Sequence, residues 1–332
     1  MDRLVVDVGS GVGAVRGVAE VRRDGGWVVP SRLPASAWPV DPELAEKARM
    51  AAGARVEFRT DATGLSWPVR TESPEDVRRP APFDVVVDGV LHARCAVDGD
   101  GVVGTDLPPG EKVVRIWLPQ FGFARLGALS LFGASTVVPV DPRPRWVLYG
   151  SSISQCTAAA GPSETWPALV AAEHDWDLRC LGFSGQCHLD PVVARFVRDG
   201  PADLIALCLG VNVHGRSSFT RRTFRPAVAG FLATVRDGHP DTPVVLITPI
   251  TSPAREHAVN GAGMTLADVR GELVGIHDEL RHVDPRLSLV HGPEVLGPAE
   301  ADLLGDGLHP TAAGYRLMAT RLAPHLAPRR RT

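Results

Sequence analysis

The sequence predicts two parts: a β-sandwich, jelly-roll-like, followed by an α/β domain built on a parallel sheet. Three observations predict it. Up to about residue 140 the apolar pattern alternates as in strands, and convincing helical periodicity is scarce. Pro139, Pro142 and Pro144 then mark a stiff connection. Beyond them short apolar runs alternate with helical stretches, the rhythm of a parallel sheet covered on both faces. The expected boundaries are 1–140 for the sandwich, 141–145 for the linker and 146–332 for the α/β domain.

In the first part Arg55-Val56-Glu57-Phe58-Arg59 alternates. Phe83–Val87 meets Val90–Ala93 through Asp88-Gly89, a hairpin signal because glycine accepts the positive φ of the turn. Lys112–Leu118 supplies another strand, and Pro42–Ala52 is the best helix candidate. In the second part the expected strands are Arg145–Tyr149, Leu178–Leu181, Asp203–Leu209, Val244–Thr248 and Leu287–Val290. Helices are expected near 164–174, 190–198, 222–237, 265–281 and 311–323.

Composition sets limits. The chain has 332 residues, 44% hydrophobic and 22% charged, within the range of globular protein. A net charge of −3 argues against nucleic acid or an anionic membrane as the main partner. Lys47 and Lys112 are the only lysines, a bias that fits a G+C-rich bacterial genome. No stretch approaches the roughly 20 apolar residues of a membrane span, and the start lacks the pattern of a signal peptide, so a cytoplasmic location is expected. Cys95, Cys156, Cys180, Cys187 and Cys208 are odd in number with no C-x-x-C pair, which reads as reduced, mostly buried thiols.

Four short motifs carry chemistry. Trp146–Tyr149 runs into Gly150-Ser151-Ser152-Ile153; Ser184-Gly185 and Gly210-Val211-Asn212 each follow an apolar run; Asp306 stands three residues before His309. Each falls where a strand would end, and ligands of such sheets sit beyond the carboxyl ends of the strands. A serine hydroxyl becomes a nucleophile when a base takes its proton and donors hold the oxyanion. Ser152 supplies the hydroxyl, His309 the base and Asp306 its acceptor; Ser152, Gly185 and Asn212 supply oxyanion donors. Taken singly, Gly-Ser-Ser is a common turn, Gly185 a loop glycine, and His309 before Pro310 the entry to a helix. Taken in order on strand ends, they imply acyl transfer.

At these residues the chain resembles the SGNH (GDSL-like) hydrolases, whose four blocks contribute Ser, Gly, Asn and His. Gly150-Ser151-Ser152-Ile153 matches the first block, Gly182-Phe183-Ser184-Gly185 the second, Gly210-Val211-Asn212 the third and Asp306-x-x-His309 the last. The resemblance implies a flavodoxin-like fold over 146–323 and a Ser152–His309–Asp306 triad. Ser151 stands where the family often has Asp, and Val213 where Asp often follows the Asn. The first half resembles the sandwich that precedes such domains in certain carbohydrate esterases and natural-product acyltransferases.

Other features have plainer readings. Leu4–Gly13 carries a Gly-rich run like that of methyltransferases, but Val15, Val18, Val21 and Gly25-Gly26 after it read as strand or turn. His188 and His214 are candidate lining residues of the cleft, against the alternative of loop histidines. Cys187-His188 lacks two further ligands for zinc. Trp27, Trp38, Trp67 and Trp117 offer a sugar platform or, more simply, sandwich core; Arg329-Arg330-Arg331 reads as a solvated tail.

The leading expectation is a serine esterase for acyl, including acetyl, esters of a carbohydrate or glycoside, needing no metal or cofactor. The first alternative is an acyltransferase of the same fold acting on a natural-product hydroxyl. The second is a carbohydrate-binding protein whose α/β domain is inactive. The partner is then a small-molecule acyl ester or acylated glycoside, with a sandwich loop expected to help choose its alcohol side. Oligomeric state stays open.

Overall fold

The computed structural model describes residues 3–37, 41–74 and 80–327. Trp38 and Arg329–Arg331 lie outside the described residues. One compact unit takes the chain up to Ser36, Ala45–Arg143 and Ala160–Glu164; the other takes Ala37–Leu44, Pro144–Ala159 and the chain from Thr165 on.

The first unit is a sandwich of two antiparallel sheets. One runs in the order Arg3–Val6, Leu129–Phe132, Gly64–Glu72, Phe123–Leu126, Trp27–Ser31, Glu20–Asp24, with Gly99–Asp106 also paired to Gly64–Glu72. The other runs Val137–Val138, Arg55–Thr60, Lys112–Trp117, Phe83–Val87, Val90–Cys95, with Val15–Arg16 on Arg55–Thr60. Alternate residues of both sheets meet in one core that includes Phe58, Leu65, Trp67, Phe83, Ile116 and Leu131. Asp88 and Gly89 take φ of 47° and 84°, which closes the expected hairpin. The helix at Pro42 ends at Arg49. The Gly-rich N-terminal run is a strand, Arg3–Val6, and a single 3₁₀ turn, Gly11–Gly13, so it lacks the strand-to-helix entry of a cofactor loop.

Glu57 is the polar centre of this unit. Arg115 faces it directly across the sheet, and its carboxylate also meets Arg55 at 3.4 Å, Arg16 at 3.1 Å and Arg143. Burial alone would raise its pKa, but Arg55, Arg143 and Arg115 outweigh that and hold it at about 2. A carboxyl depressed on folding stabilises above its unfolded pKa and loses that contribution as pH falls through the folded value. The fall from the ordinary 4.5 to about 2 corresponds to about 3 kcal/mol. Glu57→Gln is therefore expected to lower stability by about 3 kcal/mol at pH 7. Urea melts should show the gap between wild type and variant closing between about pH 4.5 and pH 2.

The second unit holds five parallel strands: β1 (Arg145–Gly150), β2 (Asp177–Gly182), β3 (Leu204–Cys208), β4 (Val244–Ile247) and β5 (Leu287–Val290). Their order is β2-β1-β3-β4-β5. All five positions of β3 and all four of β4 are buried, as a sheet covered on both faces requires. The helix Arg221–Gly238 buries Phe224, Val228, Phe231, Leu232 and Val235, one stripe at helical spacing. Thr165, Thr265 and Thr311 cap the helices at Trp166, Leu266 and Ala312 through their hydroxyls. Among the described residues no helix is long and apolar enough to cross a membrane.

Candidate active site

Register brings the motifs together. Gly150 at the end of β1 pairs with Gly182 of β2 and with Cys208 of β3. Ser152, Gly185 and Asn212 follow those three aligned residues by two, three and four positions, so they emerge from neighbouring strands at one edge. Gly182 allows close approach, since a Cβ there would stand 2.5 Å from the Gln155 backbone nitrogen. The turn after β1 enters a short helix, Ser152–Gln155, whose cap is Ser151; its hydroxyl accepts from the Ile153 N–H at 3.2 Å. Ser151 thus has a local task in the place where Asp is commoner.

Ser152 Oγ lies 2.8 Å from His309 Nε2, and His309 Nδ1 lies 2.7 Å from Asp306 Oδ2. The other oxygen of Asp306 accepts from the backbone N–H groups of His309 at 2.7 Å and Leu308 at 3.0 Å. Partial burial opposes ionisation of Asp306, but the His309 N–H, the His309 ring and the Leu308 N–H outweigh it and hold the carboxyl at about 2. An ionised Asp306 accepts a hydrogen bond from the Nδ1–H of His309, which leaves the Nε2 lone pair for the Ser152 hydroxyl. Gly307, at φ 76°, and a bridge between Leu304 and Pro310 shape the loop that presents both residues.

Gly185 sits at φ 74°, a conformation that disfavours side chains. The turn around it is tied at nearly every polar group. Ser184 N–H donates to Gln155 Oε1 at 2.9 Å, Gln186 N–H to Phe183 O at 2.8 Å, and His188 Nε2 meets Gly185 O at 2.9 Å. Cys187 N–H donates to Asn212 Oδ1 at 3.1 Å, which fixes the Asn212 amide with its NH₂ on the other side. Among the described residues the N–H of Gly185 and the NH₂ of Asn212 have no acceptor. Unspent donors on a rigid turn are what a developing oxyanion needs.

His188 and His214 have other occupations. The second ring nitrogen of His188 meets Ser218 Oγ at 2.7 Å, and the ring also lines a cleft of about 460 Å³ with Leu189, Phe219 and Phe231. His214 is buried, with Nε2 on the carbonyl of Ala258 at 3.1 Å. Two supports carry no sequence signal of their own. Gln155 holds the Gly185 turn, and the buried Ser252 donates to Gly307 O at 2.7 Å, bracing the Asp306–His309 loop. All five cysteines are free thiols, four of them buried.

The family model described as the GDSL-like Lipase/Acylhydrolase family matches residues 148–317. The chain belongs to that family. A second family model, the SsfX3 N-terminal domain, matches residues 15–126. Among solved structures, the GDSL-like chain is similar to the salicylyl-acyltransferase SsfX3 from a tetracycline biosynthetic pathway. They share 31% identity over 95% of this chain and 96% of that one, with a TM-score of 0.86. The fold is shared with two carbohydrate esterases of family two. One, from Cellvibrio japonicus, is 16% identical over 98% and 97% of the two chains, with a TM-score of 0.66. The other, from Clostridium thermocellum in complex with cellohexaose, is 17% identical over 82% and 91%, with a TM-score of 0.64. No curated protein matches the chain.

Proposed function

We propose that this protein is a serine acyltransferase that carries an acyl group on Ser152 and passes it to the hydroxyl of a small molecule. The observation that carries the proposal is the continuous line Ser152 Oγ, His309 Nε2, His309 Nδ1, Asp306, with spacings of 2.8 and 2.7 Å. Ser152 Oγ attacks the donor carbonyl as His309 Nε2 takes its proton, and Asp306 stabilises the imidazolium that forms. The N–H groups of Ser152 and Gly185 and the amide of Asn212 hold the oxyanion. Collapse expels the leaving group, which takes the proton back from His309. In the second half His309 deprotonates the incoming alcohol, which attacks the acyl-serine and frees Ser152.

Hydrolysis uses the same residues with water as the acceptor, and an acyl ester of a carbohydrate or glycoside as the donor. The likeness to an acyltransferase along nearly the whole chain, with its N-terminal domain model matched as well, supports transfer to an alcohol as the leading reading. A partition experiment separates them. Protein acylated by an activated ester is offered a panel of alcohols, glycosides and polycyclic phenols, and new ester is weighed against free acid. The expected outcome is a mass increment on the Ser152 peptide, then ester in excess of acid for at least one acceptor. Free acid throughout would make the enzyme an esterase; no acyl increment on Ser152 would remove the serine mechanism.

A further inference from the structure

Glu43 lies 143 residues from Gln186 in the chain, yet the two side chains are hydrogen-bonded, Gln186 Nε2 donating to Glu43 Oε2. The segment Ala37–Leu44 belongs to the compact unit of the parallel sheet, although it comes from the first half of the sequence. The same oxygen of Glu43 also meets Arg216 Nη2 at 3.1 Å. Beyond the chain neighbours Ser184 and Gln186, Arg216 Nη2 is in turn the atom nearest to where a Cβ on Gly185 would stand, at 4.0 Å. One carboxylate therefore holds both the residue that follows Gly185 and the side chain that flanks it.

A stabilising ion pair does not account for this arrangement. The side chains of Glu43 and Arg216 are 57% and 59% exposed, and exposed pairs add little to stability. Gln186, by contrast, is buried, and its backbone N–H closes the turn onto Phe183 O. Holding its side chain fixes the end of that turn, and with it the direction of the Gly185 N–H. We propose that Glu43 is a positioning residue for the oxyanion turn, acting through Gln186 and Arg216. This rests on the reading of Gly185 as an oxyanion donor. Oxyanion donors contribute because they are aimed before charge develops, so a turn that wanders loses rate rather than affinity.

The test uses the full chain with a small activated ester, comparing Glu43→Ala, Glu43→Gln, Gln186→Ala, the Glu43→Ala/Gln186→Ala double variant and Asn212→Ala. Losing a donor outright costs about 10²–10³ in kcat, and misaiming one costs less, so Glu43→Ala should lower kcat about 10- to 50-fold. KM should stay within about twofold and the melting temperature within about 2 °C. An amide oxygen still accepts from Gln186, so Glu43→Gln should recover kcat to within about threefold of wild type. Because the Gln186 side chain acts through its bond to Glu43, the double variant should be no worse than Glu43→Ala alone. Additive losses, a rise in KM at constant kcat, or failure of the Gln variant to recover would each overturn the assignment. An unchanged Glu43→Ala beside a crippled Asn212→Ala would overturn it alone and leave the oxyanion reading standing. An active Asn212→Ala beside an unchanged Glu43→Ala would take both down.

Discussion

Ser152→Ala will abolish ester turnover and leave the fold intact. Ser152 is 5% exposed, and its Oγ stands 2.8 Å from the His309 imidazole, which Asp306 supports at 2.7 Å. Without the hydroxyl no acyl-enzyme forms, and what remains is the acceleration from oxyanion donors and binding. The expected loss is about 10⁴- to 10⁶-fold in kcat, with an unaltered thermal melt. The neighbouring serine is the control. Ser151 caps the short helix through its hydroxyl, so Ser151→Ala removes about 1 kcal/mol of stability but no reacting group. It should keep activity within about tenfold. A dead Ser151→Ala beside an active Ser152→Ala would shift the nucleophile by one residue; two active variants would end the serine mechanism.

In the sequence this pair was separated by the match of Gly150-Ser151-Ser152-Ile153 to the first family block, with Ser152 in the nucleophile place. Gly150 closes β1 in alignment with Gly182 and Cys208, so the count of residues after each strand end sets which side chain faces its neighbours. The second half of the chain was legible in its local pattern. Its strands are short, buried runs, and Leu287–Val290 and the helix ends near Pro191, Leu266 and Ala312 fall where apolar period and capping residues place them. The first half was less so. The strand Gly64–Glu72 contains Pro68, which argues against a central strand. The sheet accommodates it because one edge of that strand is shared by two partners. Leu129–Phe132 pairs with residues 64–66 and Phe123–Leu126 with residues 69–72, which leaves Pro68 at the gap, its carbonyl accepting from the Gly127 N–H. Local pattern cannot show a partner change.

Within the site, the residues proposed to react were readable because each such role needs a particular functional group at a strand end. Gln155, Ser252 and Glu43 were not, since any side chain with an acceptor or donor at the right point in space would serve. Their tasks are defined by tertiary distance: Glu43 and Gln186 are 143 positions apart, Ser252 and Gly307 are 55. His188, a candidate for the cleft from its place beside Gly185, has both ring nitrogens engaged, with Gly185 O and Ser218 Oγ, and its ring lines a cleft with Leu189, Phe219 and Phe231.

Asn212→Ala will lower kcat by about 10²–10³ with little change in KM, because its amide meets charge that appears mainly in the transition state. The side chain has a second task that the alanine variant also removes, since Oδ1 accepts from the Cys187 N–H and steadies the turn carrying Gly185. Asn212→Asp separates the two. Its carboxylate still accepts from Cys187 but offers no donor, and it sets a negative charge beside the oxyanion. If the NH₂ is what matters, Asn212→Asp will be at least as slow as Asn212→Ala while melting like wild type. If the turn is what matters, Asn212→Asp will regain most of the activity that Asn212→Ala loses, and the donor would then be struck from the oxyanion hole. Steady-state kinetics on one small ester, with thermal melts of both variants, decides between these outcomes. A rise in KM at unchanged kcat in either variant would instead place Asn212 in ground-state binding.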